Sequence, residues 1–188
     1  MVFDGCGVPP SAFFGIVRDY KGLDILLEAM SKSKVKDLNG LKLLVAGEFY
    51  SNQEIYSNLI DKYKLKDQVV LRNEFIPDEE VGAYFCAADI IVQPYKSATQ
   101  SGVTQIAYHY EKPMIVTNVG GLAEIVPHHK VGYVTNVCAD EVADAIYDFY
   151  SSGRKDSFES NLKEEKKKYS WEYMLNSIDQ LIRDINSK

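Results

Sequence analysis

From Ala12 onward, apolar runs of strand length alternate with segments of helical period. That alternation restricts the chain to an open parallel sheet with helices on both faces, because a strand followed by a crossover helix returns in the same direction. Six strands are expected, at 12–17, 41–47, 68–73, 89–94, 113–118 and 131–135, each short and rich in Val, Ile, Leu or Phe. Leu23, Leu26, Leu27 and Met30 recur at three- and four-residue spacing and form one apolar stripe for a helix lying on the sheet. Similar stripes run through Ile55, Leu59, Ile60 and Tyr63, and through Val81, Tyr84, Phe85 and Ala88. Asp78, Glu79 and Glu80 after Pro77 mark a helix start, with acids at the positive end of the helix dipole, and a helix over 140–151 begins the same way. The expected fold is α/β: a three-layer, Rossmann-like, doubly wound, six-stranded parallel sheet with extra C-terminal helices.

The tail after Gly153 predicts two further helical segments. One runs through Lys163–Lys168, which reads as a solvated face. The other covers Trp171–Ile185, where Met174, Leu175, Ile178, Leu181, Ile182 and Ile185 form a stripe. The Gly- and Pro-rich residues 1–11 read as a linker or a cut end, and 12–188 as a single domain. A hydrophobic share of 46% over 188 residues supports a sizeable core. A formal charge of −6 argues against a nucleic-acid partner, whose binding is driven by clustered Lys and Arg. Cys6, Cys86 and Cys138 are odd in number and far apart, which speaks against a disulfide framework or a zinc site and fits a reducing, cytoplasmic setting. No apolar run approaches the ~18 residues of a membrane span, and the start lacks the pattern of a secretory signal.

Three segments lie where strands give way to helices, the edge at which such sheets bind ligands. In the first, Gly15 to Gly22, Arg18 offers a planar fork of donors and Lys21 a point charge, a pair suited to clamping a diphosphate. The second, Ser97 to Gly102, places Thr99, Gln100, Ser101 and Gly102 ahead of a helix whose first N–H groups have no internal partner. Plain N-capping by Thr99 or Ser101 explains the same residues without a ligand. In the third, Gly120 and Gly121 permit close backbone approach, and Glu124 is able to accept hydrogen bonds from sugar hydroxyls. A turn with a helix-stabilising acid is the plain alternative.

These segments, in this order, resemble the donor-binding half of the GT-B glycosyltransferases, specifically glycosyltransferase family 4, also called group 1. The resemblance runs from residue 12 to about 150, with the tail from Trp171 similar to the family's closing helix. It is carried by Gly15, Lys21 and Gly22, by Val45-Ala46-Gly47, by the run from Val70 to Glu80, by the Ala-Asp-Ile-Ile-Val-Gln-Pro segment from Ala88, and by the Gly-Gly-Leu-Ala-Glu segment from Gly120. The resemblance implies transfer of a sugar from a nucleotide-sugar to a glycan or lipid-linked acceptor, with retention at the anomeric carbon and no obligatory metal or other cofactor. On that basis Arg18 and Lys21 are the catalytic pair, offsetting charge on the departing nucleoside diphosphate. The segment Asn73, Glu74, Phe75, Ile76 and Pro77 would face the base through backbone groups, while Gly15, the Thr99–Gly102 segment, Gly120, Gly121 and Glu124 would line the sugar and phosphates. It further implies a separate N-terminal acceptor domain, without which the domain would be inactive, and attachment of the whole enzyme at the inner membrane face through that other half.

The chain departs from the family at two positions. Counting from Gly102, the two glutamates that members often carry eight residues apart correspond to Thr99 and Ala107. Gln100, Ser101 and Gln105 offer neutral groups for hydroxyls instead. The departure keeps open a second reading, a non-catalytic nucleotide-binding or interaction module of the same fold; a flavodoxin-like domain lacks an identifiable flavin loop. His109, between Tyr108 and Tyr110, reads as a packed helix residue and His128 and His129 as loop residues, so no metal site is expected.

Overall fold

A computed structural model describes residues 10–50 and 52–186. Most of the expected linker, residues 1–9 with Cys6, lies outside the described residues. Ser11 instead opens the first strand, and just ahead of it the carbonyl of Pro10 accepts from the Asp89 amide at 3.0 Å.

The strands are β1 (Ser11–Phe14), β2 (Leu43–Ala46), β3 (Val69–Arg72), β4 (Ile90–Gln93), β5 (Met114–Thr117) and β6 (Gly132–Thr135). They form one parallel sheet in the order β3-β2-β1-β4-β5-β6. Ser11 of β1 stands opposite Leu43 on one side and Ile90 on the other. The chain builds outward from β1 to β3, returns to β4 beside β1, and builds outward again. Beyond the C-terminal ends of β1 and β4 the connections diverge to opposite faces, which opens a crevice there.

The strands are shorter than the apolar runs that announce them. Gly15 and Gly47 leave β1 and β2 at φ values of 97° and 137°, conformations that end a strand. The two exits lie against each other: Gly15 donates to the Ala46 carbonyl at 2.9 Å, and a Cβ at Gly47 would overlap the Gly15 carbonyl.

Alternation along the strands divides the core into two layers. Phe13, Leu43, Val45, Val92, Ile115 and Tyr133 face α1 (Leu23–Met30), α3 (Gln53–Tyr63) and α7 (Ala139–Ser151), reached past the short α2 (Ser33–Lys36). Ala12, Leu44, Ala46, Ile91 and Val116 face α4 (Asp78–Ala87), α5 (Gly102–His109) and α6 (Leu122–Ile125). The tail adds α8 (Lys155–Glu165) and α9 (Trp171–Asn186).

Three expected surfaces differ. In α3, Ile55 is exposed and Tyr56 takes the buried place, its ring edge-on to Phe49 at 5.6 Å. The charged stretch Lys163–Lys168 is not wholly solvated: Glu165 is buried and paired with Lys130 and Lys168, and Lys166 pairs with Glu111. In α9 the stripe Met174, Leu175, Ile178, Ile182 and Ile185 is exposed, as is Trp171; the side chain of Leu181 lies outside the described residues.

Gly47 and Gly153 separate steric overlap from backbone strain. Gly153 has φ 67° with open space around its Cβ position, so Gly153→Ala is expected to cost about 1–2 kcal/mol. Gly47→Ala adds overlap with the Gly15 backbone to roughly 1–3 kcal/mol of strain and should cost more than about 3 kcal/mol, read as a lower urea midpoint.

Candidate functional site

The loop leaving β1 is folded back onto the loop leaving β4. After Arg18 a 3-10 turn over Asp19–Lys21 closes at Gly22, whose φ is 69° and whose missing Cβ would overlap the Pro94 carbonyl. Only glycine permits that approach. The Lys96 amide donates to the Tyr20 carbonyl at 2.7 Å, and the Lys96 ammonium pairs with Asp19 at 2.9 Å and Asp24 at 3.0 Å. These exposed ion pairs contribute little energy each. Their effect is to hold the two loops in register.

The cations of the first loop sit on aromatic rings. The Arg18 guanidinium lies 5.2 Å from the centre of the Tyr50 ring, and the Lys21 ammonium 5.8 Å from the centre of the Tyr95 ring. Lys21 Nζ is 3.2 Å from the place a Cβ would occupy at Gly15, so Gly15 makes room for the ammonium. Burial, reinforced by the neighbouring Arg18 charge, holds the Lys21 pKa below its ordinary 10.5. An anion placed between the two cations would relieve that repulsion.

Helix α5 begins at the same place. Ser101 precedes it in extended conformation, at φ −138°, and no side chain caps the helix. Ser101 therefore does not fulfil the plain capping alternative: its hydroxyl is engaged with the Tyr95 hydroxyl at 3.3 Å. The Thr104 amide donates to the Ser101 carbonyl at 3.2 Å, which leaves the Gly102 and Val103 amides ahead of it to a ligand, and the partial positive charge of the helix end favours an anion.

Arg18, Lys21, Thr99, Gln100, Ser101 and Gly102 all line one cavity of about 830 Å³. The volume falls within the range of small-molecule sites. Its walls also include Ile16, Tyr20, Tyr95, Val103 and Ile106, which motif reading passed over. Val103 and Ile106 are spaced as one face of the first turns of α5, and that periodicity was the available signal. Among the described residues of the lining none is a carboxylate. Thr99 is exposed on this cavity, whereas Ala107 is fully buried in the core beneath α5.

The other predicted residues stand around the cavity without lining it. A Cβ at Gly120, where φ is 51°, would overlap the Ala98 carbonyl, and the Gly121 amide donates to the Thr99 carbonyl at 2.9 Å. The glycine pair thus supports the Ser97–Gly102 loop from behind, and Glu124 is exposed beside it. At the end of β3, Asn73 accepts from the Phe49 amide and donates to Gln53, Phe75 is 73% exposed, and Ile76 is buried. A second hollow of about 320 Å³ lies beside β6, between His128, His129 and α7. Its Asp144 pairs with Lys34, and its Asp148 accepts from the Tyr133 hydroxyl at 2.6 Å and pairs with Arg154. His109 is exposed against Tyr110. Among the described residues no group of three or more His, Cys, Asp or Glu is placed to hold a metal ion, and no helix is long and apolar enough to cross a membrane.

Residues 10–152 match the sequence profile of the family described as "Glycosyl transferases group 1". This chain belongs to that family. The group 1 glycosyltransferase assignment agrees with a D-inositol 3-phosphate glycosyltransferase of Pseudarthrobacter chlorophenolicus, 28% identical over 152 residues, which are 76% of this chain and 36% of that protein. Among solved structures, the C-terminal domain of a group 1 glycosyl transferase of Francisella tularensis superposes with a TM-score of 0.76 at 20% identity, covering 86% of each chain. The Anabaena protein HepE, crystallised with UDP-glucose, superposes with a TM-score of 0.75 at 19% identity, covering 95% of this chain and 48% of HepE. These likenesses establish the Rossmann-like α/β fold. The chain spans between about a third and a half of the length of the curated relatives it matches.

The lowered pKa of Lys21 has a definite sign. Between its depressed value and 10.5 the unfolded chain holds more proton than the folded one, so Lys21's contribution to stability rises with pH there, and its burial penalty is fully present below that window. Anion binding needs the charged form and runs the opposite way. Pyrophosphate affinity, followed by calorimetry, should weaken as pH rises through this alkaline window, and Lys21→Arg should remove the decline.

Proposed function

We propose that this chain is the donor-binding domain of a retaining glycosyltransferase, taking a nucleoside-diphosphate sugar and passing the sugar to a glycan or lipid-linked acceptor. The observation that carries the proposal is the convergence of Arg18, Lys21 and the uncapped N-terminus of α5 on one cavity at the ends of β1 and β4. The diphosphate would sit between the cations and the helix end, where fixed positive charge offsets the negative charge that grows on the leaving group as the glycosidic bond breaks. Asn73, Phe75 and Ile76, at the neighbouring strand end, would meet the base, and Glu124 with the Gly120–Gly121 turn the sugar side. The reaction on this reading needs no metal or other cofactor. The family assignment and the UDP-glucose bound by HepE support the donor class.

On the same reading residues 12–188 form one of two units, and an N-terminal acceptor domain supplies the other wall of the cleft. The partial coverage of the relatives and the exposed stripe of α9 support this organisation. The whole enzyme would act in the cytoplasm, touching the inner membrane face through the acceptor half.

Calorimetry against uridine and guanosine diphosphates and their sugars tests the proposal. One sugar nucleotide should bind selectively. Arg18→Ala and Lys21→Ala should each weaken it roughly tenfold to a hundredfold, the value of a charge-assisted hydrogen bond. Binding of none of them overturns the reading. A second reading, a non-catalytic nucleotide-binding module, is favoured by Thr99 and by Ala107, whose burial removes it from any donor contact. Sugar transfer is expected only after a partner domain is supplied in trans, measured as radiolabelled product; the module yields none even then.

A further inference from the structure

Tyr95 connects the two halves of this site. It follows Pro94 at the end of β4, it is only 3% exposed, and it lines the cavity. Its ring carries the Lys21 ammonium at 5.8 Å and meets Tyr20 edge-on at 6.1 Å, while its hydroxyl reaches Ser101 Oγ at 3.3 Å. Its carbonyl accepts from the Thr117 hydroxyl at 2.6 Å, which ties it to the end of β5. Resting on the donor-binding reading above, we infer that Tyr95 is the positioning residue of the site: one side chain sets the separation between the Lys21 cation and the N-terminus of α5, and so matches both to a single diphosphate.

The two contacts act on different partners. The face of the ring stabilises a cation that burial would otherwise push aside, and it does so without a carboxylate, which would neutralise Lys21 and cancel its attraction for phosphate. The hydroxyl occupies Ser101 and keeps that side chain from capping α5, leaving the amides to the ligand. Burial pushes the phenol up to about 12, so Tyr95 stays a neutral hydrogen-bonding group at every pH where Lys21 is charged.

A plain core tyrosine would have the same burial, so the test must read coupling to Lys21. UDP affinity is measured by calorimetry for the wild type, Tyr95→Phe, Tyr95→Leu, Lys21→Ala and the double variant Tyr95→Leu/Lys21→Ala. Tyr95→Leu should weaken UDP binding at least about fivefold, and most of that loss should vanish when Lys21 is already alanine. Tyr95→Phe keeps the ring and the packing, and should show a smaller loss than Tyr95→Leu, because it reports the Ser101 contact alone. Strict additivity of Tyr95→Leu with Lys21→Ala overturns the inference while leaving the donor site standing. No UDP or other nucleotide binding by the wild type overturns both. A ligand-free measurement stands beside these: an NMR titration of the Lys21 ammonium should show its pKa move in Tyr95→Leu and hold in Tyr95→Phe, and equal values in all three proteins overturn the inference.

Discussion

The close approach of two main chains, Gly22 against the carbonyl of Pro94, governs the arrangement of this molecule's ligand-facing edge. β1 and β4 are neighbours in the sheet and far apart in sequence, so the loops beyond them have no covalent reason to meet. The hydrogen bond from Lys96 to Tyr20 and the bare backbone at Gly22 make them one surface. Once they are joined, Lys21 is carried onto the Tyr95 ring and the start of α5 faces the cations of the first loop. A third loop completes the support, because Gly120 lies directly on the Ala98 carbonyl behind the Ser97–Gly102 turn.

The fold was legible because its signals are periodic. Strand number, their parallel direction and the two-sided cover of helices follow from the alternation of apolar runs with stripes at 3.6-residue spacing. Strand lengths were not, since an apolar run does not reveal where Gly15 or Gly47 adopts a positive φ. Tyr56 exchanges with Ile55 for a comparable reason: the two are adjacent in sequence, and an aromatic partner, Phe49, decides between them. Glu165 shows the limit of charge patterning, for its burial depends on Lys130 reaching it from 35 residues away.

Arg18, Lys21 and the Thr99–Gly102 segment could be marked from sequence because charge, small hydroxyls and strand-to-helix position are local properties. The cavity's aromatic wall could not. Nothing local distinguishes Tyr95 from the other tyrosines; what sets it apart is a contact to Lys21, 74 positions earlier, and a hydroxyl turned to Ser101. The glycine pair at 120 and 121 was recognised as a close approach, but the backbone it approaches is that of the neighbouring loop.

The cavity wall has consequences for what it will accept. With two cations, hydroxyls, an amide side chain and no carboxylate among the described residues of its lining, the hollow offers hydrogen-bond donors in excess of ionic acceptors. A ligand hydroxyl that meets only the neutral part of this wall bonds to Gln100 or to the Thr99 and Ser101 hydroxyls, each a weaker partner than a carboxylate.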